Sequence, residues 1–200
     1  MSTKPSGPSH RPYHHGDLRA VLVRAAADLL EEHGAVVLSL RETARRAGVS
    51  HAAPYRHFKD RESLLAAVAA DGFALLARSL GAGLRPGASE TGEAYVRFAL
   101  EHPQRFRLMF GGLLPLGAYP ELSEHAGRAF GALSAAYAAL GGERDARIAA
   151  AAAWSLVHGL SHLLLEGHFI TATQGGKETA RFVRDVIGAA RFSLGAQRSA

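Results

Sequence analysis

The most constraining feature of the sequence is the run SLRETARRAGVSHAAPYRHF at residues 39–58. Ser39 and Glu42 have the spacing of a capping box, so a helix is predicted to begin at the residue after Ser39. Gly48 permits a tight turn, and Ser50 can cap a second short helix that ends near residue 58. Two short helices joined by a three-residue turn with glycine form a helix-turn-helix.

Helical periodicity continues on both sides of this run. An apolar stripe predicts a first helix at residues 17–33, and Asp60 can cap a long helix that follows the helix-turn-helix. A glycine-rich break at 81–90 separates these elements from a second set of helices. That set is expected at about 93–101, 103–110, 121–140, 143–168 and 177–194, with a loop at 111–120.

Composition also favours an all-α fold. Hydrophobic residues make up 48% of the chain, and alanine dominates them while Val, Ile and Thr are few, which favours helix over sheet. Cysteine is absent, which excludes disulfides and cysteine-based zinc sites. The sequence contains no phosphate-binding glycine loop after a strand and no HExxH motif, so it carries no enzyme signature of these kinds.

The sequence predicts neither secretion nor a membrane span. The N-terminal stretch MSTKPSGPSHRPYHHG is polar and rich in proline, without the apolar core of a signal peptide. The most apolar helix, IAAAAAWSLVHGLSHLLLEG, is interrupted by polar residues and is interpreted as a buried helix. We therefore expect a cytoplasmic protein with no membrane partner. The interrupting residues are Ser155, His158, Ser161, His162 and Glu166.

Positive charge is concentrated in the helix-turn-helix. The net charge is +5, and residues 39–59 carry five cations and one carboxylate. A polyanionic partner fits such a patch. In a helix-turn-helix the second helix enters the major groove with its N-terminal residues at the base edges. Ala52 and Ala53 keep that end slim, and Pro54 falls in the first turn, where a missing N–H costs least. Short cationic helices also occur on ordinary protein surfaces, and Phe58 is assigned to the core.

Several motifs in a fixed order add to this hypothesis. The capped helix, AGVS, YRHF and KDRESLL resemble the N-terminal domain of the TetR (TetR/AcrR) family of bacterial transcription regulators, over about residues 15–80. FALEHPQRFRLMF and the Trp-x-x-x-His-Gly of Trp154, His158 and Gly159 resemble the C-terminal domain of one subgroup. The resemblance implies an all-α fold, with an N-terminal three-helix DNA-binding domain joined by a long helix to a larger helical domain.

The resemblance implies particular roles for residues of the helix-turn-helix. The positions that match base-facing positions of the family are Arg41, His51, Ala52, Ala53 and Arg56. The positions that match phosphate contacts are Ser39, Tyr55, His57 and Lys59. The candidate DNA-binding set also includes Arg45 and Ser50. Many relatives carry an aliphatic residue in place of Pro54, so the second helix is expected to begin with a distorted turn.

For the C-terminal domain, the resemblance implies a ligand cavity in each subunit and a homodimer interface built from the last two long helices. Small residues there allow close helix contact: Ala149 to Ala153, Gly159, Gly188, Ala189 and Ala190. Pocket residues are expected to be large and apolar with a few polar points. The candidates are Phe106, Met109, Phe110, Leu113, Trp154, His158 and His162, although core packing is the better explanation for each of them when taken alone.

His158, His162 and Glu166 recur every four residues on one helix face. This spacing can place two imidazoles on one metal ion. Glu166 is two turns from His158, about 11–12 Å along the axis, too far to share that ion easily. A histidine satisfied by packing or hydrogen bonding is the commoner case, so neither a metal nor a cofactor is predicted.

These observations predict a basic tail at 1–15, a DNA-binding domain at 16–80 and a ligand-sensing and dimerisation domain at 81–200. The tail carries Lys4, Arg11, His14 and His15, which either reach a minor groove or stay solvated.

The functional hypothesis is a ligand-responsive repressor. It is expected to bind a palindromic operator in double-stranded DNA as a homodimer and to be released by a small-molecule effector. A helical protein-interaction module and a small-molecule enzyme are the alternatives.

Overall fold

The computed structural model describes residues 18–81, 87–138, 143–169 and 175–195, and this part of the chain is helical with no strand. Four α-helices come from the first half: α1 Leu18–His33, α2 Leu40–Arg46, α3 Arg61–Leu80 and α4 Ala88–Glu101. The other four are α5 Pro103–Phe110, α6 Pro120–Ala138, α7 Glu143–Leu165 and α8 Gly176–Gly195. Two short 3-10 helices lie at Pro54–Arg56 and Leu116–Ala118. The all-α fold predicted from the sequence is confirmed.

Local capping fixes the helices of the N-terminal part. The Ser39 hydroxyl accepts a hydrogen bond from the backbone N–H of Glu42 at 3.1 Å, as the capping box requires. The Asp60 carboxylate accepts from the N–H of Ser63 at 2.8 Å, and the Ser63 side chain caps Asp60 in return. Gly48 has φ 68°, a left-handed conformation that glycine adopts without strain. The turn between α2 and the next segment therefore depends on this residue.

The segment at 50–58, which we name the recognition segment, is not the regular α-helix that the sequence predicts. Its only helical element is the 3-10 helix Pro54–Arg56, preceded by turns at 51–53. Pro54 has no N–H and cannot donate to the Ser50 carbonyl, which accepts from the Ala53 N–H at 3.0 Å instead. The residue in the cap position is Ala53, not Ser50, and it makes no side-chain cap bond.

Two other element boundaries differ from those predicted from the sequence. Helix α4 begins at Ala88, five residues earlier than predicted, so the last part of the expected glycine-rich break belongs to a helix. The expected loop at 111–120 contains the 3-10 helix Leu116–Ala118. The N-terminal tail residues Lys4, Arg11, His14 and His15 lie outside the described residues.

One continuous apolar core runs from the N-terminal helices into the C-terminal bundle. Leu22, Leu30 and Leu64 are fully buried at the N-terminal end, while Leu76 and Phe106 are fully buried in the bundle. Helix α3 belongs to both parts, because it packs against α1 at one end and against α4, α5 and α6 along its length. A displacement of α3 is therefore transmitted to both ends of the molecule.

Within the part of the chain that the structure describes, two helices are long and apolar enough to cross a membrane by length and composition alone. In α3, 61% of the apolar window is buried inside the protein, as expected for a core helix. In α7, only 28% of the window at Arg147–Leu165 is buried. Ile148 and Leu163 of α7 are 68% and 42% exposed. Helix α7 thus leaves an apolar face uncovered in the single chain.

Helices α3 and α5 are in tight contact at Gly72. A Cβ added there would lie 2.7 Å from Met109 Sδ and 3.0 Å from Arg105 Cγ. Met109 is flexible, but Arg105 is held by an ion pair to Asp71. The glycine is therefore required by the helix crossing.

We expect Gly72→Ala to destabilise the protein because overpacking costs about 1–3 kcal/mol. The matched control is Gly131→Ala on α6, where an added Cβ meets no atom within 4 Å and helix propensity gains about 1 kcal/mol. Urea unfolding of both variants checks this, and equal stability changes would contradict the close crossing.

Candidate nucleic-acid interface and internal cavity

The recognition segment presents its polar side chains outward on a buried anchor. Pro54 and Phe58 are buried, and the Arg19 guanidinium lies over the Phe58 ring, 5.6 Å from its centroid. Ala53 is half-buried. The predicted contact residues that are exposed are Ser50, His51, Ala52, Tyr55, Arg56, His57 and Lys59. The segment therefore has the form of a short, rigid projection with donors around it.

The candidate residues on and beside α2 differ in whether their side chains already have partners within the protein. Arg41 is exposed, and among the described residues neither it nor Arg56 forms an ion pair or a hydrogen bond. Arg45 is bound to Glu42, with Nη2 2.5 Å from the carboxylate. That hydrogen bond lowers the pKa of Glu42 and raises the pKa of Arg45. Ser39 is half-buried and occupied as a cap. Arg41 and Arg56 thus have their full hydrogen-bonding capacity available to a partner.

An internal cavity of about 430 Å³ lies between α3, α4, α5, α6 and α7. Its volume is within the ~300–1,000 Å³ range of small-molecule sites. Apolar and aromatic side chains form nearly the whole wall, and no charged residue belongs to the described lining. The lining residues are Phe73, Leu76, Tyr95, Met109, Phe110, Leu116, Ser123, Ala126, Gly127, Ala129, Phe130, Leu133 and Trp154.

Three of the predicted pocket residues, Met109, Phe110 and Trp154, line this cavity. Phe106 is fully buried behind the wall, with its ring 5.4 Å from the His158 ring and 5.3 Å from the His162 ring. Leu113 is placed elsewhere: it is 56% exposed and borders a shallow pocket beside Asp60–Leu65. It follows α5 in an open turn, so the apolar pattern of α5 does not carry it inward.

The remaining lining residues were missed by sequence reasoning. Phe73 and Leu76 are buried residues of α3, and Tyr95 is a buried residue of α4. The largest omission is α6, which supplies six lining residues. The sequence signal that could have found one of them is Tyr95, an aromatic residue of a predicted helix whose hydroxyl requires a partner when it is buried.

A hydrogen-bonded triplet closes one side of the cavity. The Trp154 indole N–H donates to the Tyr95 hydroxyl at 3.1 Å, and that hydroxyl lies 2.9 Å from His158 Nδ1. Burial raises the pKa of Tyr95 well above its usual value. Burial, and then the neighbouring His162, lower the pKa of His158. A neutral His158 with an unprotonated Nδ1 accepts a hydrogen bond from the Tyr95 O–H, so the Tyr95 hydroxyl donates one hydrogen bond and accepts another.

The histidine pair does not form a metal-ligand set with Glu166. The His158 and His162 rings are stacked edge to face with centroids 4.7 Å apart, whereas Glu166 is paired with Arg107 at 3.5 Å. Among the described residues, no group of three or more His, Cys, Asp or Glu side chains is placed to hold a metal ion.

A carboxylate joins the N-terminal part to the cavity wall. Glu31 of α1 accepts hydrogen bonds from the backbone N–H groups of Gln104 and Arg105, each at 3.0 Å. These N–H groups belong to the first turn of α5, where helix geometry leaves them without a partner and favours a negative charge. Arg105 is nearly buried and binds Asp71 of α3 at 3.0 Å. Since α5 ends in the cavity residue Phe110, one short helix spans the distance from cavity to α1.

Two polar contacts on the surface also join the N-terminal helices to the C-terminal part. Arg19 of α1 binds Glu121 of α6. The Tyr119 hydroxyl donates to Glu62 of α3 at 2.7 Å. Both contacts are exposed, so they add less than the Glu31 contact.

Comparison with known proteins gives matches over most of the chain. A family model described as bacterial regulatory proteins of the tetR family matches residues 22–68. A second model, described as a tetracyclin repressor-like C-terminal domain, matches residues 88–189, just over half of the chain. The N-terminal part therefore matches a tetR family model, and the C-terminal part matches a tetracyclin repressor-like model.

A curated relative is similar to part of the chain. The HTH-type transcriptional repressor Rv3405c of Mycobacterium tuberculosis is 33% identical over 69 residues, which cover 34% of this chain and 37% of that protein. The chain thus matches little more than a third of the length of this curated relative.

Solved structures cover more of the chain. A protein of unknown function from Rhodococcus sp. RHA1 is 34% identical, with a TM-score of 0.72 over 92% of this chain and 96% of that one. A TetR family transcription regulator from Marinobacter aquaeolei VT8 shares the fold at 22% identity, with a TM-score of 0.59 over 84% and 92% of the two chains.

We expect Glu31→Gln to weaken the contact between α1 and α5. An amide has one acceptor oxygen for two N–H donors and no charge to offset Arg105, and a lost hydrogen bond to a charged group costs about 1.5–3 kcal/mol. Urea unfolding measures the loss. Glu32→Gln is the control, because its ion pair with Arg46 is on the surface and its removal should leave the unfolding midpoint almost unchanged. Equal midpoints for the two variants would contradict the role given to Glu31.

We expect His158 to make stability depend on pH. Its folded pKa lies below the ordinary 6.5, so below about pH 6.5 the unfolded chain binds a proton that the folded chain refuses. This contribution is complete above pH 6.5 and is lost as the pH falls. Chemical unfolding between pH 7.5 and 5.5 should show a steeper loss in the wild type than in His158→Gln. The same change at the exposed His57 should leave the wild-type slope intact, and matching slopes in all three proteins would refute the assignment.

Proposed function

Since the chain belongs to the TetR family of bacterial regulatory proteins, we propose that it is a ligand-responsive DNA-binding transcription regulator. It acts as a repressor that binds a palindromic operator as a homodimer and is released when a small molecule fills the cavity. The observation that supports this most directly is the pairing of an exposed cationic recognition segment with an apolar cavity, joined through α3 and α5.

DNA recognition is assigned to the recognition segment and α2. Arg41 and Arg56 are the strongest candidates for base or phosphate contacts, because they are exposed and have no protein partner among the described residues. Tyr55 is 61% exposed, and its hydroxyl suits a phosphate. Arg45 remains a candidate, but it must share its guanidinium with Glu42. The proposed contact set otherwise includes Ser39, Ser50, His51, Ala52, Ala53, His57 and Lys59.

Dimerisation is assigned to α7 and α8. Helix α7 leaves most of its apolar window uncovered in the single chain, and Ala151, Ala152 and Ala189 are small and exposed. Such residues let helices of a second copy approach closely. A two-fold dimer would bring two recognition segments to half-sites about 34–36 Å apart, which explains why a short segment with few contacts suffices.

Release follows from the shared helices. The cavity touches Phe73 and Leu76 of α3 and Phe110 of α5. Helix α3 begins directly after the recognition segment, and α5 is bound to α1 through Glu31. A ligand that displaces these helices changes the spacing of the two recognition segments. Allosteric couplings of about 1–3 kcal/mol are typical, so a small shift suffices to release DNA.

We assign the chain no catalytic activity, no cofactor and no metal, and we expect it to act in the cytoplasm, where its DNA lies. We keep the division into a tail at 1–15, a DNA-binding domain at 16–80 and a sensing and dimerisation domain at 81–200.

Selection from random duplex DNA tests the proposal. We expect the selected DNA sequence to be palindromic, and we expect its affinity for the protein to fall steeply with rising salt concentration. Arg56→Ala should weaken binding, and if the arginine contacts a phosphate, the salt slope should decrease by about one. Tyr55→Phe should weaken binding less, because it removes one hydroxyl. Arg128→Ala on α6, an exposed cation far from the recognition segment along the chain, should bind like the wild type. Failure to enrich any duplex would reject DNA recognition, and unchanged binding in both segment variants would exclude the recognition segment.

A further inference from the structure

We propose that the cavity selects an uncharged, largely apolar effector with an aromatic or fused-ring skeleton, and that it excludes organic ions of the same shape. This inference rests on the proposed function, because it names the class of molecule that releases the DNA. It is argued from the composition of the wall, the state of its polar groups and the position of its opening.

The wall offers aromatic surface and no charge. Phe73, Tyr95, Phe110, Phe130 and Trp154 all line the cavity. The Phe73 and Phe110 rings meet edge to face at 5.2 Å, and the Phe130 and Trp154 rings do so at 5.5 Å. Aromatic walls of this kind favour offset or edge contacts with a ligand ring. No carboxylate, ammonium, guanidinium or imidazole belongs to the described lining.

The polar groups of the wall are already satisfied. The Trp154 N–H donates to Tyr95, and the Tyr95 hydroxyl is hydrogen-bonded to His158. The Ser123 hydroxyl donates to the Leu116 carbonyl at 2.6 Å. A site built for a polar ligand keeps donors or acceptors free for it and binds poorly when they stay unpaired. When the occupant is apolar, these polar groups of the wall keep their hydrogen-bond partners.

An ion inside the cavity would give up its hydration without a counter-charge. Cation–π attraction to Trp154 or Phe110 offsets only part of that loss, because it is weak compared with the cost of desolvating an ion. Behind the wall, His158 is hydrogen-bonded to Tyr95, and His162 packs against His158. His158 disfavours its own charged form, so it provides no stable counter-charge for an anion, and it repels a cation if it becomes protonated.

Part of the cavity wall is exposed to solvent, which leaves room for a polar substituent there. Leu116 and Phe130 are cavity residues that remain 46% and 45% exposed. They lie on the 3-10 helix Leu116–Ala118 and on α6, two elements that are in contact. An effector can therefore insert its ring system and leave a small neutral group in water between these two elements.

Trp154 is the only tryptophan of the chain and lines the cavity, which gives a direct readout. N-phenyl-1-naphthylamine, a neutral dye that absorbs where tryptophan emits, serves as the reporter in the full-length protein. We expect saturable binding with energy transfer from Trp154. Ala126→Leu places a larger side chain in the cavity wall, while Ala135→Leu is on an exposed site of the same helix. Dye affinity should fall at least tenfold in the first variant and stay at the wild-type value in the second.

Two matched pairs of competitors separate charge from size. 2-tert-Butylnaphthalene and trimethyl(2-naphthyl)ammonium have the same shape, and only the hydrocarbon should displace the dye. Methyl 2-naphthoate is larger than 2-naphthoate, and the ester should displace at least tenfold better than the anion. Equal displacement by either ion, or dye binding unaffected by Ala126→Leu, would overturn the inference.

A DNA-binding titration separates this test from the test of the proposed function. The selected duplex is titrated with wild type and Ala126→Leu in the presence of 2-tert-butylnaphthalene. Release of DNA from the wild type alone supports the effector class. Dye binding without any release would reject the cavity occupant as an effector while leaving DNA recognition intact. If no duplex is bound at all, the proposed function fails, and the displacement series still decides the chemistry of the cavity.

Discussion

The structure depends above all on the contact between Glu31 and the first turn of α5. Two backbone N–H groups that α5 cannot satisfy itself are satisfied by a carboxylate from α1, and the adjacent Arg105 carries the connection to Asp71 of α3. Without this contact the N-terminal helices and the bundle would be joined by α3, by apolar packing and by the exposed contacts Arg19–Glu121 and Tyr119–Glu62. With it, hydrogen bonds and an ion pair also join the helix α5 of the cavity wall to α1 and α3.

Much of the fold is encoded locally, which is why the sequence predicts it. The Ser39 and Asp60 caps and the glycine at 48 act within four residues of themselves, so their spacing alone locates α2, α3 and the turn between α2 and the recognition segment. The recognition segment itself is the exception. Pro54 removes one hydrogen bond, and whether a short segment then continues as an α-helix depends on how its ends pack, which no local pattern states.

The cavity was harder to predict because it is a property of packing between distant segments. Met109, Phe110 and Trp154 lie within conspicuous motifs and were identified. The α6 residues are mostly small, and small residues on a helix indicate close approach to a neighbour as readily as open space. Only the arrangement of the helices distinguishes the two: Ala126 and Ala129 border open volume, whereas Gly72 is in tight contact. Similarly, the partners of Tyr95 lie about sixty residues away.

The buried Pro54 at the centre of the recognition segment has a further consequence. Its ring fixes one backbone dihedral, and Phe58 holds the other end of the segment against the core. The segment therefore loses little conformational entropy when it meets a rigid surface, since ordering a flexible backbone costs about 1–2 kcal/mol per residue. That ordering is completed during folding. A segment with a fixed backbone conformation can adapt to fewer surface shapes. This favours discrimination among binding targets over binding to many different ones.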